Sequence, residues 1–293
     1  MDPAERAEHR RRAVASEARA VRDRDNKAIV NRPGSVERKP PAYHGTCMAV
    51  SFERFGPAHL WAIALTLFAP LALCAVSRAS RSGLADRMIR WLFVALLVVD
   101  EILRYFLLRR HGALAVETLS PMHLCDWAAI TAVITLVHPN QRTYELCYFW
   151  ALGGTLQALI TPDLPYGFPD LRFINFFALH GGVIASTLYM TLCLGMRPVA
   201  GSIPRVLGWS AVYLAAAVGT NFVFETNFGY LREKPSHPSL FDYMAPWPFY
   251  MAQLIPLAIA FCLACYLPFF LIDRLQGGDP RTRQKPGVKE ISN

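Results

Sequence analysis

The chain has 293 residues, 53% of them hydrophobic and 18% charged, well under the roughly 25% charge of an ordinary soluble domain. Its net charge of +8 sits mainly in flanking segments with no nucleic-acid motif beside it, so anionic membrane headgroups, and no nucleic acid, are the expected partners. Of seven cysteines, six fall inside apolar stretches, which argues for small buried hydrophobes and against a disulfide framework.

Residues 1–47 read as a disordered basic tail, rich in Arg, with Arg38-Lys39-Pro40-Pro41 near its end and no apolar core of a secretory signal. Met48 is an alternative start. Apolar stretches then follow at about 57–76, 88–108, 121–138, 144–161, 172–194, 205–225 and 247–271, each near the roughly 20 residues that span a bilayer. Residues 48–272 are therefore expected to be all-α, a polytopic transmembrane bundle of about seven helices, with 273–293 a basic C-terminal tail. In the third stretch, Ser120 is the expected cap and Pro121 the first helical residue. The connection from Thr226 to Pro248, between the sixth and seventh helices, is rich in Gly and Pro and predicts an ordered loop fitted to act as a lid. Trp247, Phe249 and Tyr250 suit the membrane interface. Cys262 and Cys265 form a C-x-x-C, but inside a lipid-spanning helix, where packing is the expected role.

Calling the face where the first helix begins face A, the opposite loops on face B carry Arg78, Arg81, Arg87, Arg90, Arg142, Arg197 and Arg205, and the tail adds more. The positive-inside rule makes B cytoplasmic and A external, putting the C-terminus in the cytoplasm of a cell-membrane protein and the N-terminus outside. Ionisable residues inside spans are costly and mark candidate sites. At about 1.5 Å per residue, Cys125 lies roughly 6–8 Å and His180 roughly 12 Å from face A, with Asp100 and Glu101 roughly 10–13 Å from it and Arg104 nearer. His59, His123, Gln157, Asn221 and Gln253 fall in the same half. The B half offers Thr131, Thr135, Thr187, Thr191 and Ser210, which a helix can satisfy on its own backbone, and only Glu145 and His138 as ionisable groups. This asymmetry predicts a polar pocket opening to face A.

Cys125 is the candidate nucleophile. His123, two residues away, points to another face of a continuous helix, so a base from another helix at similar depth is expected, and His180 qualifies. The competing reading is a packing cysteine and a hydrogen-bonded histidine. Arg104 is spaced to pair with Asp100 or with Glu101, as a structural ion pair or as a relay. His59, His123 and His180 are possible in type as metal or haem ligands, but no close spacing gathers them, and neither metal nor cofactor is expected. Arg232 and Lys234 are candidate headgroup contacts in the long loop, with His59 at the same face.

The pieces Phe55-Gly56-Pro57-Ala58-His59-Leu60, Met122-His123-Leu124-Cys125-Asp126, Gln157-Ala158-Leu159-Ile160-Thr161-Pro162-Asp163, Phe176-Phe177-Ala178-Leu179-His180-Gly181 and Thr220-Asn221-Phe222, with Lys234-Pro235 through Pro246-Trp247-Pro248-Phe249-Tyr250, resemble, in order and spacing, the YwaF-type bacterial membrane proteins related to eukaryotic transmembrane protein 164. The eukaryotic relatives are regarded as acyltransferases that remodel ether phospholipids through a membrane-embedded cysteine. The resemblance implies that Cys125 and His180 are catalytic. On that basis the expected function is a lipid acyltransferase or transacylase acting on a phospholipid or lysophospholipid. Asn221 or Gln157 would donate to the oxyanion, His123 and Asp126 would give polar support, and Asp100, Glu101 and Arg104 would hold the geometry. The alternative is a non-enzymatic transporter or ligand-binding protein using the same pocket.

Overall fold

A chain that crosses lipid must satisfy its backbone within each segment, and for these apolar runs the helix is the available solution. A computed structural model describes residues 50–80, 83–110, 112–235 and 239–275, and seven helical rods account for most of them. They are α1 (Pro57–Ser80), α2 (Gly83–Arg110), α3 (Leu124–Val137, preceded by one turn at Val116–Leu119), α4, α5 (Leu171–Leu192), α6 (Ser202–Phe224) and α7 (Phe249–Leu275). The rod α4 runs through Gln141–Trp150, a π-turn at Ala151–Thr155 and Leu156–Ile160. The expected basic tail, its disorder and Met48 lie outside the described residues, as does 276–293. Asp273, Arg274 and Leu275 continue α7.

Five rods are long and apolar enough to cross a membrane: α1, α3 with its preceding turn, α5, α6 and α7. The other two are of spanning length: α2 carries Asp100, Glu101 and Arg104 in its interior, and α4 opens on the polar Gln141, Arg142 and Glu145. Large apolar side chains point outward, among them Trp61, Phe68, Phe222 and Leu263, an inverted surface that lipid covers.

The centre of the bundle is α5, whose apolar window is 72% buried against 6–22% for the other four. Gly181 and Gly182 let its neighbours close in. A Cβ on Gly181 would meet Thr66 Oγ1 of α1 at 2.5 Å, and one on Gly182 would meet Leu97 Cδ2 of α2 at 3.1 Å. The polar groups of the B half are met within their own helices or by a partner on a neighbouring one. The hydroxyls of Thr131, Thr135, Thr187 and Thr191 donate to carbonyls four residues back, at 2.7–2.9 Å. Glu145, 1% exposed, accepts from Arg205 Nη2 at 2.8 Å and Nε at 2.9 Å. Arg197 pairs with Asp273.

Candidate functional site

The richest polar region is built around a break in the third rod. After the turn Val116–Leu119 the chain leaves helical geometry through Ser120-Pro121-Met122-His123, and α3 begins only at Leu124. The expected start at Pro121 under a Ser120 cap is thus corrected. His123, extended at ψ 152, is the N-cap residue, and its N–H donates to Asp126 Oδ2 at 2.9 Å. That reciprocal bond is the acidic half of a capping box; it fixes where the helix starts and gives Asp126 a structural task. Cys125 becomes the second residue of α3 and lies inside the first turn, where the unpaired N–H groups and the positive end of the dipole converge.

Arg104 of α2 spans this break. Its Nε donates to Glu101 Oε2 at 2.9 Å, a second N–H reaches Glu101 Oε1, and Nη1 reaches the Thr118 carbonyl at the end of the preceding turn. The guanidinium lies within electrostatic reach of Cys125 and Asp126. Of the two spacings open to it, Arg104 takes Glu101. Asp100 turns to α5, where Asn175 Nδ2 donates to its Oδ1 at 2.8 Å and to its carbonyl at 3.0 Å. Asp100 is 4% exposed, and its Oδ2 is buried without a hydrogen-bond partner among the described residues.

His180 is buried on α5, stacked on Phe176 at 4.1 Å between ring centroids, with Nδ1 2.7 Å from the Phe176 carbonyl. A carbonyl only accepts, so Nδ1 carries the proton and Nε2 presents its lone pair. Among the described residues no hydrogen bond joins Cys125 to His180.

The loop residues from Glu225 to Leu231 fold back over this cluster. Asn221, 2% exposed, accepts from Phe228 N at 2.7 Å and Thr226 Oγ1 at 3.0 Å and donates to the Phe228 carbonyl at 3.0 Å. The Tyr230 hydroxyl donates to Asp163 Oδ2 at 3.1 Å, beyond the end of α4. Burial, and after it the Asp163 carboxylate, push the Tyr230 phenol up, so it stays an O–H donor. Phe228 packs edge-on against His123 at 5.2 Å. Tyr250, expected at the interface, is instead fully buried under the segment, its hydroxyl bonded to the Tyr230 carbonyl.

The remaining sequence-predicted residues are distributed as follows. Gln157, half-buried near the end of α4, makes no side-chain hydrogen bond among the described residues. Lys234 Nζ donates to the Met244 carbonyl at 2.8 Å, and Arg232, exposed, reaches the Asn221 carbonyl at 3.3 Å. His59 is 1% exposed, out of reach of a headgroup. Its Nδ1 accepts from Phe55 N at 2.9 Å and its Nε2 donates to the Leu159 carbonyl at 2.8 Å, a clasp between α1 and α4. Among the described residues no group of three His, Cys, Asp or Glu is placed to hold a metal.

Two features escaped the sequence reading. Tyr213 of α6 is buried beside Leu124, within electrostatic reach of Cys125, and its hydroxyl has no hydrogen-bond partner among the described residues. The signal was the i, i+4, i+8 run Tyr213, Ala217, Asn221 on one face of α6, all buried. Above it sits Gly229 at φ +66, where a Cβ would stand 2.8 Å from Tyr213 Oη, so only glycine closes the segment this tightly. The second feature is the π-turn, whose Gly154 faces Leu124 at 3.0 Å from a would-be Cβ. It leaves Thr155 Oγ1 buried and unpartnered among the described residues, and π-turns of this kind gather at functional sites.

A model described as the TMEM164 family matches residues 54–266. No curated protein and no solved structure matches the chain.

Proposed function

The chain belongs to the TMEM164 family of membrane proteins, and on that premise we propose that it is a thiol-dependent lipid acyltransferase or transacylase with Cys125 as nucleophile. The observation that carries this reading is the position of Cys125 in the first turn of α3, with Tyr213 of α6 packed edge-on against Trp127 of the same turn region at 5.4 Å and its hydroxyl buried beneath Gly229. A helix N-terminus and buried donors stabilise negative charge where an acyl transfer develops it.

In this reading the Cys125 proton passes to His180 Nε2, and sulfur attacks the ester carbonyl of a phospholipid. The oxyanion accepts a hydrogen bond from Tyr213, with Gln157 as a second donor; Asn221 is left to anchor the lid. Collapse breaks the ester C–O bond, the leaving lysolipid oxygen takes the proton from His180, and the acyl group remains on Cys125 as a thioester. A lysolipid hydroxyl or water, its proton taken by His180 Nε2, then attacks the thioester carbonyl; the C–S bond breaks, the second product forms, and the Cys125 thiolate takes the proton back from His180. The Cys125–His180 contact is one that forms with substrate, since catalytic hydrogen bonds commonly tighten only in the Michaelis complex. Arg104 and Glu101 hold the helix break in register, and Arg232 is the headgroup contact at the lid. The protein sits in the cell membrane with the lid external and the C-terminus cytoplasmic.

A second reading, a non-enzymatic lipid-binding or transport protein, is favoured by the absence of a direct Cys125–His180 hydrogen bond among the described residues. Lipid analysis of a deletion strain complemented with wild type or with Cys125→Ala separates the two. Acyl exchange restored by wild type alone, at equal expression and thermal stability, supports the enzyme; exchange restored equally by Cys125→Ala contradicts it.

A further inference from the structure

A cleft lies at the other face, between the starts of α4 and α6. Two polar ties hold these rods together: Glu145 with Arg205 at the outer end, and Trp150 Nε1 donating to Ser210 Oγ at 2.9 Å further in. Between the ties α6 carries Gly208, where an added Cβ would meet nothing within 4 Å. The result is a cleft of about 350 Å³, walled by Leu146, Pro204, Trp209 and Val212, within the range of small-ligand sites.

The charge is at one end. Arg142 and Arg205 both line the cleft. Glu145 offsets only one of them, since it is bound to Arg205, and it is 1% exposed. Arg142 is exposed, and its guanidinium makes no hydrogen bond or ion pair among the described residues. One uncompensated cation over an apolar slot at the end of two membrane rods recognises an amphiphile with a net negative headgroup. A free anion would leave the apolar wall unused, and a neutral lipid would leave Arg142 unmatched.

We propose that this cleft binds an anionic glycerophospholipid, its phosphate on Arg142 and the free edge of Arg205 and an acyl chain against Leu146, Trp209 and Val212. The site is separate from the Cys125 cluster and stands whether or not that cluster is catalytic.

The test is the thermal midpoint of the purified full chain in detergent, titrated separately with phosphatidylglycerol, phosphatidylcholine and inorganic phosphate. Arg205 is unsuited to substitution because its loss strands Glu145. Wild type responds to phosphatidylglycerol at concentrations roughly tenfold lower than to phosphatidylcholine, the scale of one charge-assisted hydrogen bond. Arg87→Gln, which removes the same charge elsewhere on the face, keeps that preference. Arg142→Gln loses it, and Gly208→Leu, whose side chain enters open space, loses the response to both lipids. Equal response of wild type to the two lipids, a preference that survives in Arg142→Gln and Gly208→Leu, or a shift reproduced by inorganic phosphate alone overturns the proposal.

Discussion

Near face B the inward carboxylates are each met by a base: Glu145 by Arg205, Asp273 by Arg197 and Asp86 by Arg90. In the face-A half, Asp100 Oδ2, Thr155 Oγ1 and Tyr213 Oη are buried with no hydrogen-bond partner among the described residues. Both halves belong to one bundle and face the same cost of burying polar groups. One half resolves that cost in the folded state; the other keeps donors and acceptors in reserve. In the proposed reading, the half that leaves polar atoms unmatched holds them for the lipid substrate.

Substitutions break or sharpen that contrast. Arg205→Ala leaves Glu145 buried and unpaired, so the expected loss is on the order of 3 kcal/mol in thermal or denaturant unfolding; a neutral result removes the claim that face B is structural. Tyr213→Phe deletes a hydroxyl with no partner to lose. Its stability stays within about 0.5 kcal/mol of wild type while kcat for acyl exchange falls roughly 100-fold, and an unfolding midpoint that drops with unchanged kcat reverses the assignment. Gly229→Ala meets both the left-handed backbone and Tyr213 Oη. It is expected to cost about 1–2 kcal/mol and to show up as faster proteolysis within 225–248 than in wild type. Asp100→Asn keeps the acceptor for Asn175 and removes a charge with one orphaned oxygen. Stability is expected to hold within about 1 kcal/mol, and a collapse comparable to Arg205→Ala places Asp100 with the structural pairs.

The seven rods were legible because hydropathy over twenty residues needs no neighbour to be read, and the satisfied threonines of the B half were legible because each bonds its own helix. The start of α3 was misread because Ser120-Pro121 is a good local cap. The capping bond from His123 to Asp126 competes with it, and a helix that starts at Leu124 can bring that residue against Gly154 of α4. That shift matters chemically, since it moves Cys125 into the first turn and removes the continuous-helix geometry that separated His123 from it. Arg104 had two allowed partners by spacing. The choice of Glu101 follows from the rotation of α2, which turns Asp100 toward Asn175. Tyr213 and the π-turn were missed for the same reason: which face of a membrane helix is inward depends on packing against neighbours, and a uniformly apolar helix carries little of that phase in its own pattern.

The most direct measurement quenches the purified full chain during turnover on a phospholipid donor and maps thioesters by peptide mass spectrometry. The acyl group should be found on Cys125, released by hydroxylamine, and absent from Cys147, Cys193, Cys262 and Cys265. Turnover with an unmodified Cys125, or acylation spread evenly over the other cysteines, contradicts a nucleophile at the start of α3.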